Sequence, residues 1–231
     1  VAFEKHWKLR LNNPFNRKLQ VIHAGEGTDV MAANEISRLI RANYLHKRLV
    51  AVHGVAMSDE QAAYFRALVW CLASNYFMFG KTAAITSLLT KTTVLFGTDS
   101  TLTASWEIKK HFQLAMQSGI TTASLVAMLT TNPAACWNLP QCGRLQEGAN
   151  ADITLLDGDD PATADLKMVL KAGEPVLVQK DIALASGLSL VNGYSSINMG
   201  GEQFYVKGDP GKLALLIKQY YPSAELPFIP L

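Results

Sequence analysis

The 231 residues carry 21 Lys and Arg against 19 Asp and Glu, a net charge of +2, with 49% hydrophobic and 17% charged side chains. That is enough for one large domain, or one and a half small ones, around a substantial core. No long run of one charge sign stands out, so neither nucleic acid nor an anionic membrane is expected as a partner. The longest apolar stretches fall well short of a membrane span.

Three cysteines, Cys71, Cys136 and Cys142, cannot all pair, and no CxxC spacing occurs. They read as reduced thiols in a cytoplasmic protein. The opening residues hold Glu4, Lys5, His6, Lys8 and Arg10 and no apolar signal segment. The sequence starts at Val1 rather than Met, and it is expected to be part of a longer protein.

In chain order, the apolar run Leu19-Gln20-Val21-Ile22 ends at His23, and Met31 to Tyr44 reads as a helix with Ile36, Leu39 and Ile40 on one face. Leu49-Val50-Ala51-Val52 ends at His53. Ser58, Asp59 and Glu60 then provide a cap and an acidic first turn for a helix through Phe65. Ala67-Leu68-Val69-Trp70 ends at Cys71. Thr93-Val94-Leu95-Phe96 ends at Gly97-Thr98-Asp99, and Trp106 to Ser118 reads as a helix. Short apolar strands alternating with helices imply a parallel sheet, because parallel neighbours need a crossover connection. The strands are nearly continuous apolar runs, which predicts burial on both faces.

After Ser118 the texture changes. Thr121 to Leu129 is a helix, followed by Thr131-Asn132-Pro133-Ala134-Ala135. Gly143 to Gly148 reads as a turn, Ala151 to Asp157 as a short strand, and Met168 to Val178 as a hairpin turning at Ala172-Gly173-Glu174. A small β-rich unit thus follows the α/β part. The tail from Gly211 holds one amphipathic helix (Leu213, Leu216, Ile217, Tyr220) and then a stretch broken by Pro222 and Pro230.

In parallel sheets, chemistry gathers at the C-terminal ends of strands, where loops converge. Three of the four strands here end in His23, His53 and Asp99. Each alone has a duller explanation: a strand end in solvent, a satisfied core histidine, an N-cap of the next helix. All three at equivalent positions of successive strand–helix units point to one convergent site.

His23-Ala24-Gly25-Glu26 is the sharpest local signal. Imidazole is the commonest protein ligand of Zn²⁺ and suits Fe²⁺. A carboxylate three residues on can sit near water that a metal makes acidic, lowering its pKa from about 16 to near 7, and can shuttle its proton. The plainer alternative is that Glu26 favours the next helix start through the macrodipole. His53 could be a second ligand, a substrate hydrogen-bond donor or an orienting group. Asp99 could bind metal or accept a proton. Cys71 and Asn75 read as structural, since ligation by one thiolate in a His/Asp site is uncommon. The chain has no P-loop, no complete dinucleotide fingerprint and no G-x-S-x-G elbow. His6, His46 and His111 receive no role.

These residues resemble the amidohydrolase superfamily, and within it the branch of cytosine and guanine deaminases, triazine chlorohydrolases and imidazolonepropionases. The resemblance implies a distorted (β/α)8 barrel in which His23 ends strand five, Glu26 follows it, His53 ends strand six and Asp99 ends strand eight. The strand-seven segment, usually Cys-Pro-x-Ser-Asn, is Cys71-Leu72-Ala73-Ser74-Asn75 here. Asn132-Pro133-Ala134 and Gly143-Arg144-Leu145 through Ala151-Asp152-Ile153 resemble the passage into a small β-sandwich. The family's His-x-His pair of strand one is not in this sequence.

By resemblance, residues 1–140 are strands five to eight of the barrel with metal-site residues. Residues 141–231 are a β-sandwich remnant with a C-terminal helix and tail. One divalent metal is implied, Zn²⁺ ahead of Fe²⁺, held by His23 and Asp99. Glu26, His53 and Asp99 are the catalytic residues, and the substrate is a cyclic small molecule. The half barrel would need its missing N-terminal half or a second copy. The expected activity is hydrolysis of C–N bonds in cyclic amides, amidines or aminated rings. The alternative is a non-catalytic barrel fragment that serves assembly or binding, and this chain alone is expected to be inactive.

Overall fold

The computed structural model describes residues 5–188, 190 and 192–231. Val1 and Glu4, cited above for the chain start, lie outside the described residues. The chain divides into two compact units, Val1–Arg144 and Leu145–Leu231.

The first unit opens with helix α1 (Trp7–Leu11), then strand β1 (Gln20–Ala24), α2 (Val30–Ala42), β2 (Leu49–His53), α3 (Asp59–Ala62), β3 (Ala67–Trp70), α4 (Leu72–Phe79), α5 (Ile85–Leu88) and β4 (Thr93–Phe96). Helices α6 (Ile108–Gln117), α7 (Thr122–Leu129) and α8 (Thr131–Trp137) follow. The strands form one parallel sheet in the order β1-β2-β3-β4. The register aligns Ile22 with Ala51, Ala51 with Leu68 and Leu68 with Val94.

That row belongs to one face of the sheet. It packs with Ile36, Leu39, Leu72, Leu88, Leu125 and Met128 into the main core. The alternate residues Val50, Ala67 and Leu95 point to the other face and join Cys136 in a smaller cluster.

Local chemistry sets the helix starts. Asp29 Oδ1 accepts the Ala32 N–H and caps α2, and Ser58 with Gln61 closes a capping box on α3. Helix α3 is shorter than expected, stopping at Ala62 rather than Phe65. Helix α8 was not anticipated. Pro133 suggests a break, yet it sits in the first turn, where a missing N–H costs nothing.

The expectation of strands buried on both faces holds for β2 and β3, whose residues are almost all inaccessible. It fails for β1, where Val21 is 52% exposed and His23 is also exposed. This strand is at the edge of the sheet, and a groove of about 300 Å³ lined by Trp7, Arg10, Val21 and His23 runs beside it. The opposite edge is partly covered, since Asn132 Nδ2 donates to the Val94 carbonyl at 2.9 Å.

The second unit holds β5 (Ile153–Asp157), β6 (Asp165–Lys171), β7 (Glu174–Gln179), α9 (Lys180–Ala185), β8 (Tyr194–Met199), β9 (Glu202–Lys207), α10 (Pro210–Tyr220) and β10 (Ile229–Pro230). They make one antiparallel sheet ordered β10-β8-β9-β7-β6-β5. The β6–β7 turn is the two-residue Ala172-Gly173, both at positive φ, and Glu174 already pairs with Lys171. The β8–β9 hairpin was missed because Ser195, Ser196 and Asn198 break up the apolar residues of β8. Helix α10 buries Ala214, while its expected apolar face leaves Leu213, Leu216 and Tyr220 exposed.

Leu68 lies on the central strand β3 and is fully buried. Leu68→Ala is expected to cost about 2–5 kcal/mol, read as a lowered urea midpoint at unchanged m-value.

Candidate active site

The parallel register sets the C-terminal ends of β1, β2, β3 and β4 side by side, and every candidate side chain stands there. His23 is the penultimate residue of β1, aligned with Val52. Beyond it the chain turns at Gly25, with φ of +65°, and a Cβ there would stand 2.5 Å from Ile36 Cδ1. The Gly25 N–H donates to Glu35 Oε2 (3.2 Å), and its carbonyl accepts from Ala56 N–H (3.1 Å). The turn leaves Glu26 facing the neighbouring strand, with Oε1 3.5 Å from His53 Nε2. Glu26 is therefore no helix cap, because Asp29 does that work for α2.

His53 ends β2 and is 1% exposed. Its backbone sits at φ +72°, in the left-handed region that few non-glycine residues adopt. The ring lies 5.2 Å, centroid to centroid, from that of His23.

Nδ1 is 2.9 Å from Asn75 Oδ1, and Asn75 Nδ2 donates to Thr82 Oγ1 at 3.3 Å. Thr82 Oγ1 also accepts from Trp70 Nε1 at 2.8 Å, and an indole nitrogen can only donate. With Asn75 Oδ1 as the acceptor, His53 Nδ1 is the protonated nitrogen. Nε2 then faces the two carboxylates. Asn75, read as structural from sequence, thus orients the central histidine. The only hint in the sequence was its place in Cys71-Leu72-Ala73-Ser74-Asn75, just beyond a strand end.

Asp99 follows β4 with φ +61° and a side chain 26% exposed, and its Oδ2 lies 3.8 Å from His53 Nε2. The next helix begins at Ile108 after Glu107, so the N-cap alternative for Asp99 is excluded. Gly97 makes the approach feasible, since a Cβ there would meet Val69 Cγ1 at 2.7 Å and Cys71 Sγ at 2.9 Å. Ser74 and Thr103 share a 2.8 Å hydroxyl bond, and buried His111 holds the Ser105 carbonyl through Nε2. Both contacts pin the loop that carries Asp99. His111, left without a role by its sequence context, is one of its anchors.

The structure therefore brings Glu26, His53 and Asp99 to one point, with His23 alongside. An imidazole and a carboxylate on two strand ends, flanking the same His53 ring, suit a borderline divalent cation. Cys71 is buried at the same mouth, with its sulfur, a His53 nitrogen and an Asp99 oxygen all within 4.8 Å of one another. Burial first, and then the Asp99 charge, push its thiol up to about 12.

The amidohydrolase family profile matches residues 16–200. The chain belongs to the amidohydrolase family. Over 70 residues the chain is 39% identical to the adenine deaminase of Listeria monocytogenes serotype 4b, and 36% to that of Listeria innocua serovar 6a. Each match covers 30% of this chain and 12% of the relative's length. Among solved structures, it superposes on an atrazine chlorohydrolase mutant of Arthrobacter aurescens TC1, complexed with zinc and atraton, with a TM-score of 0.58 at 20% identity. That covers 73% of this chain and 46% of that one. The aminofutalosine deaminase of Helicobacter pylori matches with a TM-score of 0.51 at 16% identity, over 63% of this chain and 40% of that one. These likenesses show the fold. Among the described residues no helix is long and apolar enough to cross a membrane.

The raised Cys71 thiol sets a pH signature. Folding favours the protonated form, so this stability is whole below the unfolded thiol's value of about 8.5 and is lost as pH rises above it. Cys71→Ala is expected to flatten that alkaline loss in urea melts taken from neutral pH upward. Iodoacetamide at mildly alkaline pH is expected to label Cys142 and spare Cys71, read by peptide mass spectrometry.

Proposed function

We propose that the chain is the C-terminal portion of a metal-dependent amidohydrolase that hydrolyses a C–N bond in a cyclic amide, an amidine or an aminated ring. In this reading the β1–β4 sheet is the second half of a (β/α)8 barrel, spanning residues 1–140. Residues 141–231 are its share of a small β-sandwich with a C-terminal helix and tail. The observation that carries the reading is the meeting of Glu26 and Asp99 on His53 Nε2 at 3.5 and 3.8 Å, with the His23 ring beside them. Nothing in the packing of a parallel sheet requires four such groups at one mouth.

His23 and Asp99 would hold one divalent cation, Zn²⁺ ahead of Fe²⁺. When bound, it supplies Lewis-acid polarisation and makes water acidic near neutral pH. Glu26, partly exposed at the mouth, accepts the proton of the attacking water and passes it to the departing nitrogen. His53 keeps Nδ1–H on Asn75 and presents Nε2 between the two carboxylates, where it can polarise a substrate heteroatom. Buried Cys71, Trp70 and Leu72 keep water from the rear of the site. Aminated purines lead the substrate screen, because the curated relatives are adenine deaminases.

The other cation ligands would come from the missing N-terminal half of the barrel, or from a second copy of this chain, docked along the open β1 edge. The purified 231-residue chain is expected to be catalytically silent and to associate in size-exclusion chromatography with light scattering. A stable monomer holding one equivalent of metal that is lost in His23→Ala would overturn this part of the reading.

In the catalytically complete protein, His23→Ala and Asp99→Ala are expected to lower zinc content sharply after dialysis, read by elemental analysis. Glu26→Gln keeps shape and metal but cannot take the proton. It is expected to lose at least about 10²-fold in kcat, measured as ammonia release from purines, pyrimidines, pterins and cyclic amidines. Turnover within a few-fold of the parent would remove Glu26 from the mechanism. Full metal occupancy in both ligand variants would mean that the cation is held by other residues.

A further inference from the structure

We propose that His53, Cys71 and Asp99 form a second, sulfur-containing metal site in the same mouth, taking a thiophilic divalent cation of the Zn²⁺ or Cd²⁺ class and blocking the catalytic arrangement when occupied. The inhibitory half of this inference rests on the proposed function; the metal site itself does not.

The geometry is specific. One ligand atom from each residue lies within 4.8 Å of the other two. Bond lengths of about 2.0–2.3 Å to Zn²⁺ put ligand atoms roughly 3.5 Å apart around a tetrahedral ion, so a small closure completes the set. His53 Nε2 and Asp99 Oδ2 are already at 3.8 Å. Asp99, on a loop and partly exposed, is the donor free to close, whereas His53 and Cys71 are buried and held.

Space has been left for the sulfur. Gly97 keeps open the volume that a Cβ would fill at 2.9 Å from Sγ. The Sγ–H donates to the Val69 carbonyl over a long 4.0 Å, a weak hold on the proton that leaves the sulfur lone pairs unengaged by that contact. Nitrogen, sulfur and carboxylate oxygen together favour Zn²⁺ and its heavier congener over Mg²⁺ or Ca²⁺. Binding forms an S–metal bond as the S–H proton leaves to solvent, with no change of oxidation state. Occupancy takes Asp99 from the catalytic cation and Nε2 of His53 from the substrate, so excess zinc would inhibit.

The test is a Cd²⁺ titration of the purified chain, followed by the ultraviolet sulfur-to-cadmium charge-transfer band. The band is expected in the parent, in His23→Ala, and in a Cys136→Ser/Cys142→Ser double variant. It is expected to vanish in Cys71→Ser, with affinity falling by at least the roughly 10–100-fold that losing an outer-shell partner costs. A saturated parent without the band, or an unchanged band in Cys71→Ser, overturns the proposal. Should Cys71→Ser fail to fold by circular dichroism, X-ray absorption at the cadmium edge of the parent decides. One sulfur neighbour supports the site, and nitrogen and oxygen alone refute it. The two readings fail separately, because zinc loss in His23→Ala tests the catalytic cation and the sulfur band tests this one.

Discussion

The parallel hydrogen-bond register of β1 to β4 is the constraint on which the site depends. Aligning Ala24 with His53 and Trp70 with Phe96 puts four strand ends at one level. Residues far apart in the chain then emerge as neighbours. The register is held by burial on the main-core face, where Ala51, Leu68 and Val94 are all inaccessible. A one-residue slip of any strand would turn that apolar row to the opposite face, so the core that stabilises the sheet also positions the chemistry.

Close approach at the strand ends then depends on small residues and strained ones. Gly25 and Gly97 remove Cβ atoms where Ile36 and Cys71 need the space. His53 and Asp99 take left-handed backbone conformations that each cost of order 1–3 kcal/mol. The Trp70–Thr82–Asn75–His53 chain is the counterweight, a set of mutually satisfied polar groups that leaves the histidine one orientation. Rigidity is concentrated behind His53, and Glu26 and Asp99 stand in front of it, more open to solvent.

The β1 edge shows a different economy. Its alternate residues Val21 and His23 are exposed, and only β2 pairs with it among the described residues. An exposed apolar edge strand is a template for another chain segment. The chain spans 46% of the length of the chlorohydrolase it superposes on, and the proposed completing half would occupy that edge.

Much of this was legible in the sequence, and the reason is local. Apolar runs broken by His23, His53 and Gly97-Thr98-Asp99, each followed by helical periodicity, announce parallel strand–helix units without knowledge of any long-range contact. The turn at Ala172-Gly173 and the capping box at Ser58 are likewise written in neighbouring residues. What only the tertiary structure decided depends on residues distant in the chain. The bond from Asn75 to His53, the anchoring of Ser105 by His111, the duty of capping α2 passing from Glu26 to Asp29, and the sulfur of Cys71 beside Asp99 all arise from how strand ends and loops pack. Periodicity reports which face of an element is apolar; it carries no information on which polar groups meet once those faces have packed.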